Sequence, residues 1–301
     1  MRISDLEGGY YSWARFDKAR AVSTLAKYKE CIGIFKNHIG NLHVRKIKPE
    51  HFDQIKKVFF ERGRGRARVA SIVYSMKSFL KYCRDIRGYR ILEIEKVRVP
   101  PQEKYRIIQT LEKDEIRRLM KNIKLINEWE GNRRKRNINL HGLRWKCLIE
   151  VLWSSGMRIS EALSLNRDIV DMQNREAIII GKGAKYRKVF FSKEAIRLIK
   201  KYLHTRHDNH EALFVTHCAA RRWTTGGAQE YMNRWRRDLK VSKHITFHTL
   251  RRSFASLIFY EKDIYAASKL LGHSDIETTR RHYICEDWEK LKEIHHAAVE
   301  K

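Results

Sequence analysis

Two adjacent prolines, Pro100 and Pro101, interrupt the chain about one third of the way from its start, and the only other proline is Pro49. Because proline lacks a backbone N–H and makes the preceding residue favour an extended chain, the pair is not expected inside a helix or a central strand. A chain of 301 residues usually forms more than one hydrophobic core. The pair therefore predicts two domains and a linker, at residues 1–96, 109–301 and 97–108 respectively.

The first domain is predicted to be helical throughout. Its apolar residues recur at steps of three and four, which is the spacing of one face of an α-helix. Three such stripes occur, with a possible Ser23 cap before the first and with Pro49 suited to the first turn of the second. The stripes are Leu25, Tyr28, Ile32, Phe35 and Ile39; Phe52, Ile55 and Phe59; and Val69, Ile72, Val73, Met76, Phe79, Leu80 and Cys83.

The second domain is predicted to combine helices with a small β-sheet. Residues 111–126 and 143–154 have helical spacing, and the basic residues 132–137 are expected to form a loop between them. Ala177–Ile180 and Val189–Phe191 have the composition of short strands, and the basic segment between them suits the tip of a hairpin. The predicted fold class is therefore mainly α with a small β-sheet.

The strongest bulk signal is positive charge. Lysine and arginine number 64 against 35 aspartate and glutamate, which gives a formal net charge of +29. Such an imbalance repels itself in a folded protein, so a polyanionic partner is expected. Because the basic residues are spread along the chain, we expect the protein to wrap around nucleic acid. A membrane surface, a ribosomal role and mere solubility are the weaker interpretations.

A run of arginines at every second position precedes the third stripe. Arg62, Arg64, Arg66 and Arg68 alternate with small residues where a helix is expected to begin. Helix N–H groups and arginines both bind phosphate, so we interpret the run as a contact to the DNA backbone. A solvated loop is the alternative.

The cysteines and the apolar runs bear on cellular location. The five cysteines are isolated and odd in number, so neither a disulfide framework nor a metal site is expected, and most should be small core residues. No apolar run approaches the roughly 20 residues that span a bilayer, and the N-terminus lacks an apolar secretory segment. The sequence therefore predicts a cytoplasmic protein that does not bind a membrane.

The segment Ser155–Leu165 places an arginine where two helices are expected to meet. Gly156 is expected to end the first helix, and Glu161 lies at the start of the second. At this junction Arg158 can present its planar guanidinium to a phosphate, and Glu161 could hold that side chain in place. An ordinary buried ion pair is equally consistent with the pattern.

Two further motifs supply histidines and a tyrosine. His248 and Arg251 are three residues apart and thus share a helix face, where both could contact a phosphate oxygen. Gly272 is expected to end a helix just before His273, and Tyr283 follows on the next helix. Taken singly, these are a capping histidine, a surface arginine and a core or surface tyrosine.

The order of these motifs resembles that of the tyrosine recombinase (phage integrase) family, and most closely its Xer-type members. The shared order is G-x-R-x-S-E-x-L, a G-K-G hairpin, H-x-L-R, L-G-H-S and then a tyrosine. Each motif is weak alone, but five in this order are specific. The resemblance covers nearly the whole chain. It implies a helical, SAM-like core-binding domain that clamps DNA and an α+β catalytic domain that carries a C-terminal tail helix.

The resemblance also implies roles for individual residues. Arg158 and Arg251 would hold the non-bridging oxygens of the scissile phosphate, and Glu161 matches the family's acidic residue beside the first arginine. Lys182 of the G-K-G hairpin would be the general acid, and the alternatives on the same hairpin are Lys185 and Lys188. Arg252 points about 100° away from Arg251 around the helix. We therefore expect Arg252 to contact the DNA backbone instead of the scissile phosphate. The hairpin residues Lys185 and Arg187 are also expected to contact DNA.

Tyr283 would be the nucleophile, while His248 and His273 would bind the phosphate and assist proton movement. In the family, the tyrosine usually follows the second histidine by one residue less than it does here. One added residue rotates a helical side chain by about 100°, so a bulge or an extra loop residue must absorb the shift. No other tyrosine lies in this stretch, and Tyr283 remains the candidate.

The implied function is site-specific DNA recombination or integration through a 3′-phosphotyrosine, with no metal, nucleotide or other cofactor. The implied partner is double-stranded DNA with paired recombination sites. The protein would be a monomer when free in solution and would form a homotetramer on the DNA. The helical segment 286–301 is expected to pack on a neighbouring protomer, with its own domain as the alternative. Other readings are a type IB topoisomerase, a metal-dependent transposase or nuclease, and a catalytically silent DNA-binding regulator.

Overall fold

The chain is described by a computed structural model that divides into two compact units, Met1–Arg106 and Ile107–Lys301. The residues described are 1–61, 65–100, 110–123, 133–181, 186–216, 220–239, 244–272, 277 and 292. Within these ranges, only the backbone is described at residues 133–140 and 239.

The described part of the first unit consists mainly of four α-helices around one apolar core. Helix α4 packs against α1, α2 and α3, and aromatic rings fill the centre, where Tyr10 meets Phe79 edge-on with ring centroids 5.5 Å apart. The predicted helical character and all three stripes are confirmed. The helices are α1 (Ile3–Phe16), α2 (Val22–Ile39), α3 (Pro49–Glu61) and α4 (Arg66–Asp85).

Two details of this unit differ from expectation. Helix α1 had no predicted counterpart, since its buried residues are spaced by glycines and acids that weaken the pattern. One of those glycines, Gly9, lies against the Tyr82 hydroxyl. A Cβ atom added at Gly9 would lie only 2.6 Å from that hydroxyl oxygen, so a larger residue would collide with it. The Ser23 cap is wrong, because α2 begins at Val22 and Ala21 occupies the capping position without a side-chain hydrogen bond.

The described part of the second unit combines helices with a two-stranded sheet, as the fold class predicted. Helix α6 lies at its centre and packs against α8 and α10, with Trp145 fully buried among aromatic rings. The elements are α5 (Lys113–Lys121), α6 (Arg133–Ser155), α7 (Ile159–Ser164), β1 (Glu176–Ile180), β2 (Tyr186–Phe190), α8 (Lys193–His204), α9 (Thr225–Leu239), α10 (Phe247–Glu261) and α11 (Ile264–Leu271).

The boundaries of two helices in this unit correct the sequence-based expectation. The basic loop predicted at residues 132–137 is wrong, because α6 already begins at Arg133 instead of residue 143. Arginine and lysine are good helix formers, so a basic segment can be helical without the apolar stripe on which the prediction depended. Helix α5 ends at Lys121 instead of continuing to residue 126.

The predicted hairpin is confirmed as an antiparallel pair of strands. Its register pairs Glu176 with Phe190 and Ile180 with Tyr186, so β2 begins three residues before the predicted Val189. Ala177 and Val189 face the core. Residues 182–185, between the strands, lie outside the described residues.

The predictions on cysteines and membrane spans have partial outcomes. Cys31, Cys83 and Cys147 are buried free thiols, as expected of small core residues, while Cys218 and Cys285 lie outside the described residues. Among the helices described, none is long and apolar enough to cross a membrane.

Two glycines make the turns on which the site is built. Gly156 follows α6 with φ +62° and Gly272 follows α11 with φ +68°, a region that favours glycine because it lacks a Cβ. At Gly156 an added Cβ would also overlap the ring of Phe254, reaching within 2.5 Å of its Cε1 atom. The first turn thus needs glycine for its conformation and for its close contact with α10.

Gly156→Ala is expected to lower the free energy of unfolding by about 3 kcal/mol, through left-handed strain and overpacking against a buried ring. Chemical denaturation of the full chain measures the loss. Gly226→Ala is the matched control, because a Cβ there meets no atom within 4 Å and the position is helical. A Gly156→Ala protein as stable as this control would contradict the tight approach of Phe254.

Candidate functional site

The centre of the candidate site is the carboxylate of Glu161, which is only 7% exposed. Its Oε1 atom accepts a hydrogen bond of 2.8 Å from Arg158 Nη1, and its Oε2 atom accepts one of 2.8 Å from the Arg158 backbone N–H. Oε2 also accepts a 2.7 Å hydrogen bond from Arg187 Nη2, and Arg251 Nη1 lies 3.9 Å from it. One buried carboxylate therefore faces three guanidinium groups.

Glu161 is held in its charged form by these partners. Burial by itself would raise its pKa, but the backbone N–H of Arg158 and the charge and hydrogen bonds of Arg187 and Arg158 outweigh burial and lower the pKa below its usual value. With three arginines and one carboxylate, the cluster has a formal charge of +2. It is thus an electropositive site suited to an anion such as phosphate.

Arg158 is the most accessible of the three arginines. It precedes α7, just beyond the Gly156 turn, and its side chain is 31% exposed. The expected ion pair with Glu161 is present at 2.8 Å. A fixed, partly exposed guanidinium can bind a phosphate through its planar fork of N–H groups.

Arg251 lies on α10 and is buried, with 1% of its surface exposed. Its Nη1 atom donates to the carbonyl oxygen of Gly156, and its Nη2 atom donates to that of Leu271 at 2.7 Å. The side chain thereby joins the turn after α6 to the end of α11. Two apolar residues near it on the same helix, Leu250 and Phe254, are buried.

His248 lies one turn before Arg251 on α10 and is exposed. Although the residue is exposed, neighbouring atoms partly desolvate its ring; this desolvation and the positive charges of Arg252, Arg251 and Arg158 lower its pKa, so the imidazole is predominantly uncharged at neutral pH. A neutral imidazole can donate one hydrogen bond and accept another. Because Arg158 contributes to this shift, its charge acts on His248 even though the two residues come from separate motifs.

Arg187 occupies a different position from the one expected of a DNA contact. Its side chain is 11% exposed and turns inward from β2, where it bonds Glu161 and the Leu270 carbonyl oxygen, the latter at 2.9 Å. The sequence predicted a basic hairpin but did not indicate that Arg187 points toward the protein interior. Successive side chains of a strand point to opposite faces of the sheet, so the face on which Arg187 lies depends on the register, which was not known. The hydrogen bonds therefore place Arg187 in the cluster of arginines around Glu161.

The remaining basic candidates are distributed as follows. Arg66 is exposed at the start of α4, and Arg68 is half-buried and makes an ion pair with Glu30. Arg252 is half-buried on α10. In the part of the chain that the structure describes, no three His, Cys, Asp or Glu side chains group as metal ligands. Outside the described residues lie Arg62, Arg64, Lys182, Lys185, His273, Tyr283 and the segment 286–301 except for Lys292.

Glu161→Gln is expected to destabilise the protein by about 3 kcal/mol at pH 7, because it leaves buried guanidinium groups without their counter-charge. Folding lowers the pKa of Glu161, so its stabilisation is complete above the ordinary glutamate value and is lost as pH falls through the lower folded-state value. The difference in unfolding free energy between wild type and variant should therefore shrink below about pH 4.

Denaturant unfolding of both proteins across that pH range measures the difference. Glu230→Gln is the matched control, because Glu230 is an exposed carboxylate on α9, and it should change stability by less than about 0.5 kcal/mol. An equal loss for Glu161→Gln at pH 7 and at pH 3 would contradict a charged Glu161.

Tyrosine recombinases of other organisms share sequence with this chain. A tyrosine recombinase XerC of Vibrio campbellii is 26% identical over 279 residues, covering 90% of this chain and 84% of its own. A tyrosine recombinase XerC of Leptospira interrogans is 34% identical over 165 residues, covering 52% of this chain and 51% of its own.

Solved structures of low sequence identity share the fold. A XerH site-specific recombinase in a post-cleavage complex with palindromic difH substrate has a TM-score of 0.71 at 20% identity, covering 98% of this chain and 84% of that one. A lambda integrase dimer bound to a COC′ core site has a TM-score of 0.73 at 12% identity, covering 95% and 97%. Residues 109–289, more than half of the chain, match the sequence model of the phage integrase family, and the protein therefore belongs to that family.

Proposed function

We propose that this protein is a site-specific DNA recombinase that cuts and rejoins strands through a covalent phosphotyrosine at Tyr283. The observation that carries the proposal is that Arg158 and Arg251, from motifs separated along the chain, meet at Glu161, and that the charges of both arginines act on His248. An electropositive cluster beside an uncharged imidazole can stabilise the negative charge of the transition state when a phosphodiester is attacked. The XerC proteins and the DNA-bound XerH and lambda integrase structures support the same assignment.

In the proposed reaction, the Tyr283 hydroxyl gives its proton to one of the two histidines as its oxygen attacks the scissile phosphorus, and the bond from phosphorus to the 5′ oxygen breaks. The DNA 3′ end becomes attached to the tyrosine, and the 5′ oxygen leaves as a hydroxyl after it receives a proton from Lys182. Attack by a 5′ hydroxyl of the partner strand reverses these steps and releases the tyrosine. Because the phosphotyrosine conserves the bond energy, rejoining needs no nucleotide.

The arginines act on the charge that grows on the non-bridging oxygens during attack. Arg158 can reach a phosphate from its observed position, since about a third of its side chain is exposed. Arg251 is buried and bonded to two carbonyl oxygens, so its contact with the phosphate requires its surroundings to open when DNA binds. His248 and His273 complete the phosphate contacts and assist the proton transfer.

The first unit is proposed to grip the DNA backbone. The domains assigned for this purpose are a core-binding domain at 1–96, a linker at 97–108 and a catalytic domain at 109–301. Arg66 is exposed at the start of α4 and is available to a phosphate, whereas Arg68 would first have to release Glu30. The formal charge of +29 supports an extensive contact with a polyanion.

The proposed partner is double-stranded DNA with paired recombination sites. Strand exchange joins ends from two duplexes, so four nucleophiles must act in one assembly, which a homotetramer on DNA supplies. The segment 286–301 is proposed to link neighbouring protomers in that assembly, and the free protein is proposed to be a monomer in the cytoplasm.

A nicked suicide DNA substrate tests the reaction, because loss of a short fragment beside the cut prevents rejoining. Wild type should become covalently attached to DNA, and Tyr283→Phe should form at least about 1,000-fold less adduct because the attacking oxygen is missing. Denaturing gel electrophoresis measures the adduct. Tyr260→Phe, on α10 outside the motifs, is the matched control and should react normally.

Four results would contradict this assignment. Equal trapping by wild type and Tyr283→Phe would exclude Tyr283 as the nucleophile. Loss of cleavage in EDTA would favour a metal-dependent transposase or nuclease, whose mechanism needs bound metal ions. Relaxation of supercoiled DNA by the monomer without paired sites would instead favour a type IB topoisomerase, and DNA binding without any adduct would favour a silent regulator.

A further inference from the structure

Arg187 connects three elements of the catalytic unit. It belongs to β2, its Nη2 atom bonds Glu161 Oε2 at 2.7 Å, and its Nη1 atom bonds the Leu270 carbonyl oxygen at 2.9 Å. Leu270 lies in the last turn of α11, directly before the L-G-H-S segment. A planar guanidinium can make both bonds at fixed angles, which the single ammonium group of lysine cannot reproduce.

The backbone at the end of α11 is fitted to this arginine. Gly272 has φ +68°, and a Cβ added there would lie 2.5 Å from Arg187 Cδ and 2.7 Å from Nε. Any other residue would therefore displace the arginine stem. The glycine of this turn thus leaves room for Arg187 in addition to providing a left-handed helix end.

The bond from Arg187 also controls how the other two arginines share one carboxylate. Glu161 Oε2 accepts from Arg187 and from the Arg158 backbone, and Arg251 Nη1 lies 3.9 Å away. Without Arg187, Arg158 and Arg251 would be the described arginines that remain within 4.0 Å of the carboxylate. The formal charge of the cluster would fall from +2 to +1, and the carboxylate would repel a phosphate more strongly.

We propose that Arg187 is a positioning residue for strand cleavage. It holds the Glu161 carboxylate and the end of α11 together, and through Glu161 it keeps Arg158 and Arg251 oriented toward the scissile phosphate. This inference rests on the proposed recombinase function and assigns Arg187 no contact with DNA.

Single-turnover cleavage of the nicked suicide substrate, with saturating protein, tests this role. Arg187→Gln should slow covalent trapping by about 100-fold, because small displacements of positioned groups cost that much. Arg187→Lys should recover only part of the rate. Arg197→Gln is the matched control, because this arginine on α8 has a side chain 61% exposed and pairs with Glu194, and it should stay within about 3-fold of wild type.

A substrate with a methylphosphonate at the scissile position separates positioning from general loss of structure. This linkage is neutral, so it needs the arginines less and is not repelled by Glu161. The defect of Arg187→Gln should shrink from about 100-fold to less than about 10-fold on this substrate. A merely misfolded variant would lose the same factor on both substrates, and that result would overturn the proposal.

Gly272→Ala supplies a second variant that does not depend on the folding of Arg187→Gln. It should slow cleavage, and the double variant should be slower than Arg187→Gln alone by no more than about 3-fold, because both changes disrupt one contact. Gly88→Ala is the control, since Gly88 has the same φ of +68° with no atom within 4 Å of an added Cβ. Independent, multiplying effects of the two substitutions would overturn the proposal.

The outcomes also separate this inference from the recombinase proposal. If wild type forms the adduct and Arg187→Gln forms it at the same rate, the positioning role fails and the recombinase function stands. If Arg187→Gln weakens DNA binding but cleaves normally at saturation, Arg187 is a DNA contact and the positioning role fails. If wild type itself forms no adduct, the recombinase function fails and the positioning role fails with it.

Discussion

A single buried carboxylate, that of Glu161, organises the arginine cluster of the second unit. Three arginines close together would repel one another, and Glu161 offsets that repulsion while leaving an excess of positive charge. Because its two oxygens accept bonds from the start of α7 and from β2, elements that are distant in sequence are held in one geometry. The burial of the carboxylate strengthens each of these bonds, since little water is present to screen them.

Main-chain carbonyls do the rest of the joining. Arg251 bonds the carbonyl oxygens of Gly156 and Leu271, and Arg187 bonds that of Leu270. These oxygens are available because a helix leaves its last carbonyls without partners inside the helix. The ends of α6 and α11 are therefore attached to the cluster through groups that any sequence would provide, while the glycines beside them allow the close approach.

The sequence was sufficient for the helical character, the hairpin and the Arg158–Glu161 pair, because each depends on local spacing. It was insufficient where contacts are made across the fold. The inward turn of Arg187 depends on strand register, and the burial of Arg251 depends on the packing of α10 against α6 and α11. The helical start of α6 at Arg133 was missed because the basic residues there have no apolar stripe in the sequence.

The burial of Arg251 has a consequence for selectivity. In this state its terminal nitrogens are already satisfied by backbone oxygens, so a small anion arriving from solvent finds Arg158 but not a complete clamp. Free phosphate or a nucleotide would have to break those bonds with little binding energy to offset the loss. A long duplex can supply that energy through contacts far from the scissile phosphate. A phosphate in a long duplex would therefore contact both arginines, whereas a free phosphate or a nucleotide would contact only Arg158.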